Sequence, residues 1–219
     1  ETTPRTDKKF IIVTIAMLAT DLLFKISLAL AAFLSSLVFG FVLLFAIVVM
    51  PGIGILKDEQ FLLAFQAIDG TIQNNQPIFI MIWLGSLVFV ISSMVMSIYR
   101  WKKGISLYLM IGFSITFIVG HIITATQHIP RNNRIHGLDI FDLDESTLAD
   151  ERARFEDAWN NWNIVRTVLF GLTSVYFLLV VLSISPSLEK NGELGDDSDE
   201  SLPMQMEKSN GAARYYQSV

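Results

Sequence analysis

Four uncharged stretches decide what this chain can become. No Asp, Glu, Lys or Arg occurs from Ile26 to Met50, Pro77 to Tyr99, Gly104 to Thr126, or Thr167 to Leu188. A bilayer core asks for about 20 apolar residues per helix, and each stretch meets or nearly meets that length. Glycines within them, such as Gly112 and Gly120, do not weaken the reading, because neighbouring helices re-satisfy the backbone in lipid. The chain has 219 residues, of which 52% are hydrophobic and 17% charged. Soluble domains carry about 25% charge, and a soluble core of this size has no room for four such runs. The expected fold class is all-α: a four-transmembrane-helix bundle with a small helical extramembrane head and an extended acidic C-terminal tail.

Charge placement orients the bundle. The turn between the second and third runs reads RWKKG, and the N-terminal region carries Arg5, Lys8 and Lys9. The positive-inside rule puts both, and with four spans both termini, on the cytoplasmic side or its organellar equivalent. The connection from Gln127 to Asn163 holds eight acids against four bases and falls outside.

Three parts are expected. Residues 1–25 form an N-terminal extension. Within it Phe10 to Thr20 is apolar but too short to span, and reads as an interfacial helix or an extension of helix 1. Residues 26–185 form the membrane domain, with helices at about 26–50, 77–99, 104–126 and 148–185. Residues 186–219 form an acidic, Ser- and Gly-bearing tail with the composition of disorder. In the first outer connection, Phe61, Phe65, Ile68 and Ile72 recur at helical spacing with Gln66, Asp69 and Gln73 on another face, which predicts an amphipathic helix capped by Asp58. Ser146 or Thr147 would cap a long fourth helix that begins outside the membrane.

Several function classes drop out. Cysteine is absent, which removes disulfide scaffolds and thiol chemistry. No basic face suits nucleic acid, and no phosphate-cradling Gly-rich loop, nucleophile elbow or HExxH is present. Runs 1 to 3 lack a buried carboxylate of the kind a proton-coupled transporter places at the midplane. His121 and His128 are seven residues apart, about 10.5 Å along a helix, too far to share one metal ion. No metal and no cofactor is expected.

The polar residues gather on the outer side. On helix 4, Trp159, Asn163, Arg166 and Phe170 make one stripe. Helix 3 offers His121, Thr124 and His128, and the outer connections offer Gln66, Asp69, Asn74, Asn132 and Asn133. An arginine one turn inside the membrane boundary calls for pairing, and Asp69 is the expected partner of Arg166. Interfacial anchoring and helix capping account for many such residues equally well.

Three segments taken in order, MPGIGILKDEQFLLAFQAIDGTIQNNQPIF, TATQHIPRNNRI and WNNWNIVRT, resemble the anthrone-oxygenase-like family of small four-helix integral membrane proteins. The resemblance runs from about Gly40 to Leu182. Family positions fall on Pro51, on Gln66, Asp69 and Asn74, on Thr124, Pro130 and Asn132, and on Trp159, Asn163, Arg166 and Thr167. Asp69 stands where many members have Asn, and His128 where Asn is usual. Arg131 replaces a commonly apolar residue.

The resemblance implies oxidation of anthrones to anthraquinones by O₂ without a cofactor. Such chemistry needs an acidic C–H held near donors that stabilise the enolate and a base such as His121 or His128. It also implies catalytic roles for His121, Arg166 and Asn163, with Gln66, Asp69, Asn74, Thr124, His128, Asn132, Asn133 and Trp159 around the substrate.

Two functions are therefore expected side by side. One is an accessory or structural subunit of a larger membrane complex, docked through the N-terminal extension and the acidic tail. The other is a binder of a small hydrophobic molecule at an outer-face polar pocket, with the cofactor-independent oxygenase as its catalytic form. The lipid bilayer is a partner in either case.

Overall fold

The computed structural model describes residues 5–74 and 76–184. The acidic tail expected at 186–219 lies outside the described residues. Helix α1 (Arg5–Leu44) runs through a π turn, Phe45–Val49, into α2 (Met50–Gly54). Then come α3 (Asp58–Gln73) and α4 (Pro77–Arg100). Helix α5 (Ile105–Ile123) leads through a second π turn, Thr124–His128, into α6 (Ile129–His136), and α7 (Glu145–Ile184) closes the chain. Among the described residues four helical segments are long and apolar enough to cross a membrane: 8–54, 77–100, 105–136 and 145–184.

Helix boundaries follow local chemistry. Pro77 occupies the first turn of α4, where its missing N–H costs nothing, and Gln76 Oε1 accepts from the Phe79 amide at 2.6 Å. Asp144, rather than Ser146 or Thr147, caps α7: its Oδ1 accepts from the Thr147 amide at 2.7 Å and the Ser146 hydroxyl at 2.9 Å. These bonds hold the Asp144 carboxyl below its ordinary pKa, the Thr147 amide most of all. Asp58 is the first residue of α3, after Lys57 in the cap position, which has no side-chain cap bond. It accepts instead from Arg152 at 3.1 Å.

Helix 1 is longer at both ends than composition suggests. It is continuous from Arg5, and its π turn carries it past Met50. Both π turns precede a proline by the same offset, Met50-Pro51 and Ile129-Pro130, and each closes with an i to i+5 bond: Met50 N–H to Phe45 O, Ile129 N–H to Thr124 O. A proline ring collides with the carbonyl four residues back in a regular helix. One extra residue in the preceding turn relieves that collision and turns the side chains ahead of it.

Two apolar clusters stack along the bundle. In the membrane layer Phe24, Leu28, Val38, Val42, Val90, Met110, Phe117, Phe170 and Phe177 are buried together. Small residues let the backbones approach. A Cβ added to Gly120 would stand 2.5 Å from Phe170, and one on Gly171 would stand 2.9 Å from Phe39. The head cluster joins Met50, Phe61, Leu62, Phe65, Ile135, Ile140, Leu148, Phe155 and Trp159.

Polar ties lock the head. Arg152 donates to the carbonyls of Gly54 and Leu56 at 2.7 Å each, pairs with Glu156 and Asp58, and lies over Phe61. Arg134 meets Glu151 through two bonds of 2.6 and 2.7 Å. The junction between the two clusters is where the polar residues collect.

Candidate functional site

A cavity of about 360 Å³ opens at that junction, within the size range of small-molecule sites. The first π turn and α1 supply Phe41, Val42 and Phe45, and α4 supplies Phe79, Ile80 and Trp83. Asp69, Ile72 and Gln73 come from α3, Thr124 and His128 from the second π turn, Asn132 and Asn133 from α6, and Trp159 and Arg166 from α7. Phe41, Phe45, Phe79, Trp83 and Trp159 thus give the wall an aromatic part, and the polar groups converge from four elements.

Arg166 is the dominant group. Only 7% of it is exposed. Its Nε donates to Asn163 Oδ1 at 2.9 Å and Nη1 to the Thr124 hydroxyl at 3.3 Å. Its Cζ lies 5.5 Å from the centre of the Trp159 ring. All three partners are neutral. The expected ion pair with Asp69 is not formed. Asp69 accepts instead from Gln73 Nε2 at 2.5 Å and Asn132 Nδ2 at 2.7 Å, and those two amides occupy the carboxylate that Arg166 would otherwise have reached for. Burial pushes the Asp69 carboxyl above its ordinary pKa, with the Gln73 and Asn132 bonds opposing.

A chain of hydrogen bonds continues from Asp69. Asn132 donates to Asp69 and accepts from Trp159 Nε1 at 2.9 Å. The bonding fixes which end of the Asn132 amide is which, because an indole N–H only donates and a carboxylate only accepts. His128 packs edge-on to Trp159 with ring centres 5.0 Å apart. It is 1% exposed, and neither imidazole nitrogen has a hydrogen-bond partner. The Trp162 carbonyl approaches the ring outside hydrogen-bonding geometry.

The other sequence-predicted residues fall around this cavity rather than in it. Asn163 stands behind Arg166: it accepts from Arg166 Nε and donates to the Val42 carbonyl at 3.2 Å. It borders a separate pocket of about 260 Å³ with Met50, Pro51, Glu156 and Asn160. His121 shares its Nδ1 with the Phe117 carbonyl at 3.1 Å and packs among Trp83, Phe117 and Phe170. It does not line the cavity, although Trp83 does. Gln66 donates to the carbonyls of Ile135 and Leu138 at 2.7 and 3.0 Å, tying the end of α6 to α3. Asn74 is exposed at the C-cap of α3. Among the described residues no three His, Asp or Glu side chains converge as metal ligands would.

Phe41, Phe45, Phe79 and Trp83 were not singled out by the sequence, and Gln73 was placed on the polar face of its helix but not at the site. The signal was present as a density of aromatic residues where the first run ends and the second begins, FGFVLLF and PIFIMIW. Without a depth or a facing neighbour, such residues read as lipid-facing.

Comparison with known families meets this geometry over the same residues. A family model described as anthrone oxygenase matches residues 73–176. The matched stretch holds Gln73, Phe79, Trp83, Thr124, His128, Asn132, Trp159, Asn163 and Arg166, whereas Phe41, Phe45, Gln66 and Asp69 precede it. No curated protein and no solved structure matches the chain.

Proposed function

We propose that the cavity binds a flat, lipid-soluble aromatic carbon acid of the anthrone type and oxidises it with O₂. The observation that carries this reading is Arg166: a buried guanidinium whose side-chain partners are all neutral, set beside aromatic walls. A buried cation without a carboxylate is costly. It becomes favourable when the ligand supplies an anionic oxygen, and an enolate is such a ligand.

The chemistry then divides among named groups. The ring system lies among Phe41, Phe45, Phe79, Trp83 and Trp159. The substrate oxygen takes the donor capacity of Arg166 that Asn163 and Thr124 leave free, and His128 takes a methylene proton. The resulting carbanion adds O₂ to give a hydroperoxide at that carbon. Loss of the second C–H proton with cleavage of the O–O bond leaves a ketone and water. The carbon gives up four electrons and O₂ accepts four, so anthrone and O₂ become anthraquinone and water. Asn163 and the Asp69–Asn132–Trp159 chain position Arg166 and the aromatic wall. By the charge pattern of the turns, the cavity belongs to the non-cytoplasmic leaflet.

Oxygen uptake and anthraquinone absorbance, followed with anthrone and the protein in lipid nanodiscs, test the reading. Wild type should exceed the uncatalysed background. Arg166→Gln should lose roughly 10²–10³-fold in rate, the usual effect of removing one oxyanion donor, while its thermal unfolding stays cooperative. A wild-type rate equal to background would sink the catalytic reading and leave a binding protein.

The assembly role keeps one supporting observation. From Phe10 to Thr20 helix α1 is exposed on every side, with Phe10, Met17 and Leu18 each about two-thirds or more exposed, and its apolar packing starts at Phe24. An apolar helix without a polar face suits neither water nor the interfacial plane, so a neighbouring apolar surface would cover it. Co-purification that is lost when residues 5–20 are deleted would support that role, and recovery of the full chain as a monomer in mild detergent would argue against it.

A further inference from the structure

The end of the bundle opposite the head carries another cavity, of about 660 Å³, between the α4–α5 turn and the last turns of α7. Its rim is Arg100, Trp101 and Lys102, one wall is Tyr176, and its floor includes Leu109 and Leu179. The rim is strongly basic. Of Lys25, Arg100, Lys102 and Lys103 at this end, the first two pair with one carboxylate, Asp21. Lys102 and Lys103 have no ion-pair partner among the described residues. The walls are set in place: Tyr176 stacks on Phe113 at 4.3 Å with its hydroxyl donating to the Ser106 carbonyl, and Trp101 meets Phe24 edge-on at 5.9 Å. The floor is apolar and belongs to membrane-spanning segments, with Leu109 and Leu179 43% and 60% exposed.

We propose that this cavity holds an anionic phospholipid, its phosphate between Arg100 and Lys102 and one acyl chain along Leu109 and Leu179. Each half of the cavity excludes a simpler occupant. A free phosphate has no use for the leucine floor. A zwitterionic lipid brings its own cation to a rim where Arg100 and Lys102 already stand side by side and, of the two, Arg100 alone pairs with Asp21. An anionic lipid satisfies both, and a basic residue at a membrane surface favours it. The aromatic rim sets the headgroup depth, as Trp and Tyr do at interfaces.

The test is native mass spectrometry of the full chain released from detergent after incubation with equimolar phosphatidylglycerol and phosphatidylcholine of matched acyl chains. Phosphatidylglycerol should be retained several-fold more. Lys102→Glu should cut that preference by roughly tenfold, since it replaces attraction by repulsion at the rim. Lys103→Glu changes the net charge equally but lies outside the cavity, and should keep the preference. Equal retention of the two lipids overturns the proposal. So does an equal loss from both variants, which would mean only a diffuse basic surface. Displacement of the lipid by millimolar inorganic phosphate would mark a soluble-anion site and overturn it as well.

Discussion

The indole N–H of Trp159 donates to the side-chain carbonyl of Asn132 at 2.9 Å, and the same amide donates to Asp69 at 2.7 Å. One side chain of α6 therefore reads α7 and α3 at once, and the roof of the cavity depends on it. Trp159→Phe keeps the ring packing against Phe45, Phe65 and His128 but leaves the Asn132 oxygen without its donor. The expected cost is about 1–3 kcal/mol, read as a fall in the thermal midpoint. In a double-mutant cycle with Asn132→Ala the two losses should not add.

Asp69 gives the site a pH signature. Burial raises its pKa above the ordinary carboxylate value, so the native state binds its proton more readily than the unfolded chain does. Stability from this group is fully present below the unfolded pKa and is lost as pH rises through the raised native value. Asp69→Asn keeps an acceptor for Asn132 and removes the charge. Its thermal midpoint should exceed wild type at pH 7 and converge with it near pH 4. A variant less stable than wild type at pH 7 would mean that the charge in the field of Arg166, or the second acceptor oxygen that the carboxylate gives Gln73, holds the head in place.

Close helix contact is tested at Gly120. A methyl group there would stand 2.5 Å from the Phe170 ring, and Phe170 is wholly buried. Gly120→Ala should cost about 1–3 kcal/mol, the usual range for overpacking. Phe170→Leu in the same chain should recover part of it, which distinguishes a steric clash from a change in helix propensity.

Much of the architecture was legible because hydrocarbon is an unforgiving solvent: 20-odd uncharged residues specify a span, and four of them specify the bundle. Pro77 and the RWKKG turn marked boundaries for local reasons. The stripe of Trp159, Asn163 and Arg166 was legible from helical spacing. The partner of Arg166 was not. Opposite charge suggested Asp69, but Gln73 one turn along the same helix, together with Asn132 from another element, takes both carboxylate oxygens. Pairing of charges is read from sequence, whereas competition from neutral amides depends on three-dimensional order. The π turns were hidden for a related reason. Pro51 and Pro130 read as helix ends, yet in lipid the helix continues and absorbs the proline by widening.

His128 and His121 separate the catalytic reading from a structural one. His128 is buried and His121 half-buried on the same helical segment, but only His128 lines the cavity, and His121 has the Phe117 carbonyl for its Nδ1. Under the proposed mechanism His128→Ala should lower the oxidation rate by about 10²–10⁴-fold, the usual contribution of a positioned base. Binding of anthraquinone, which has no proton to lose, should change far less. His121→Ala should instead act on stability, since it empties a space among Trp83, Phe117 and Phe170. Turnover in nanodiscs, anthraquinone titration by tryptophan fluorescence and thermal unfolding, measured on both variants, separate these effects. If His121→Ala silences turnover at full stability while His128→Ala does not, the base has been assigned to the wrong side of Trp83.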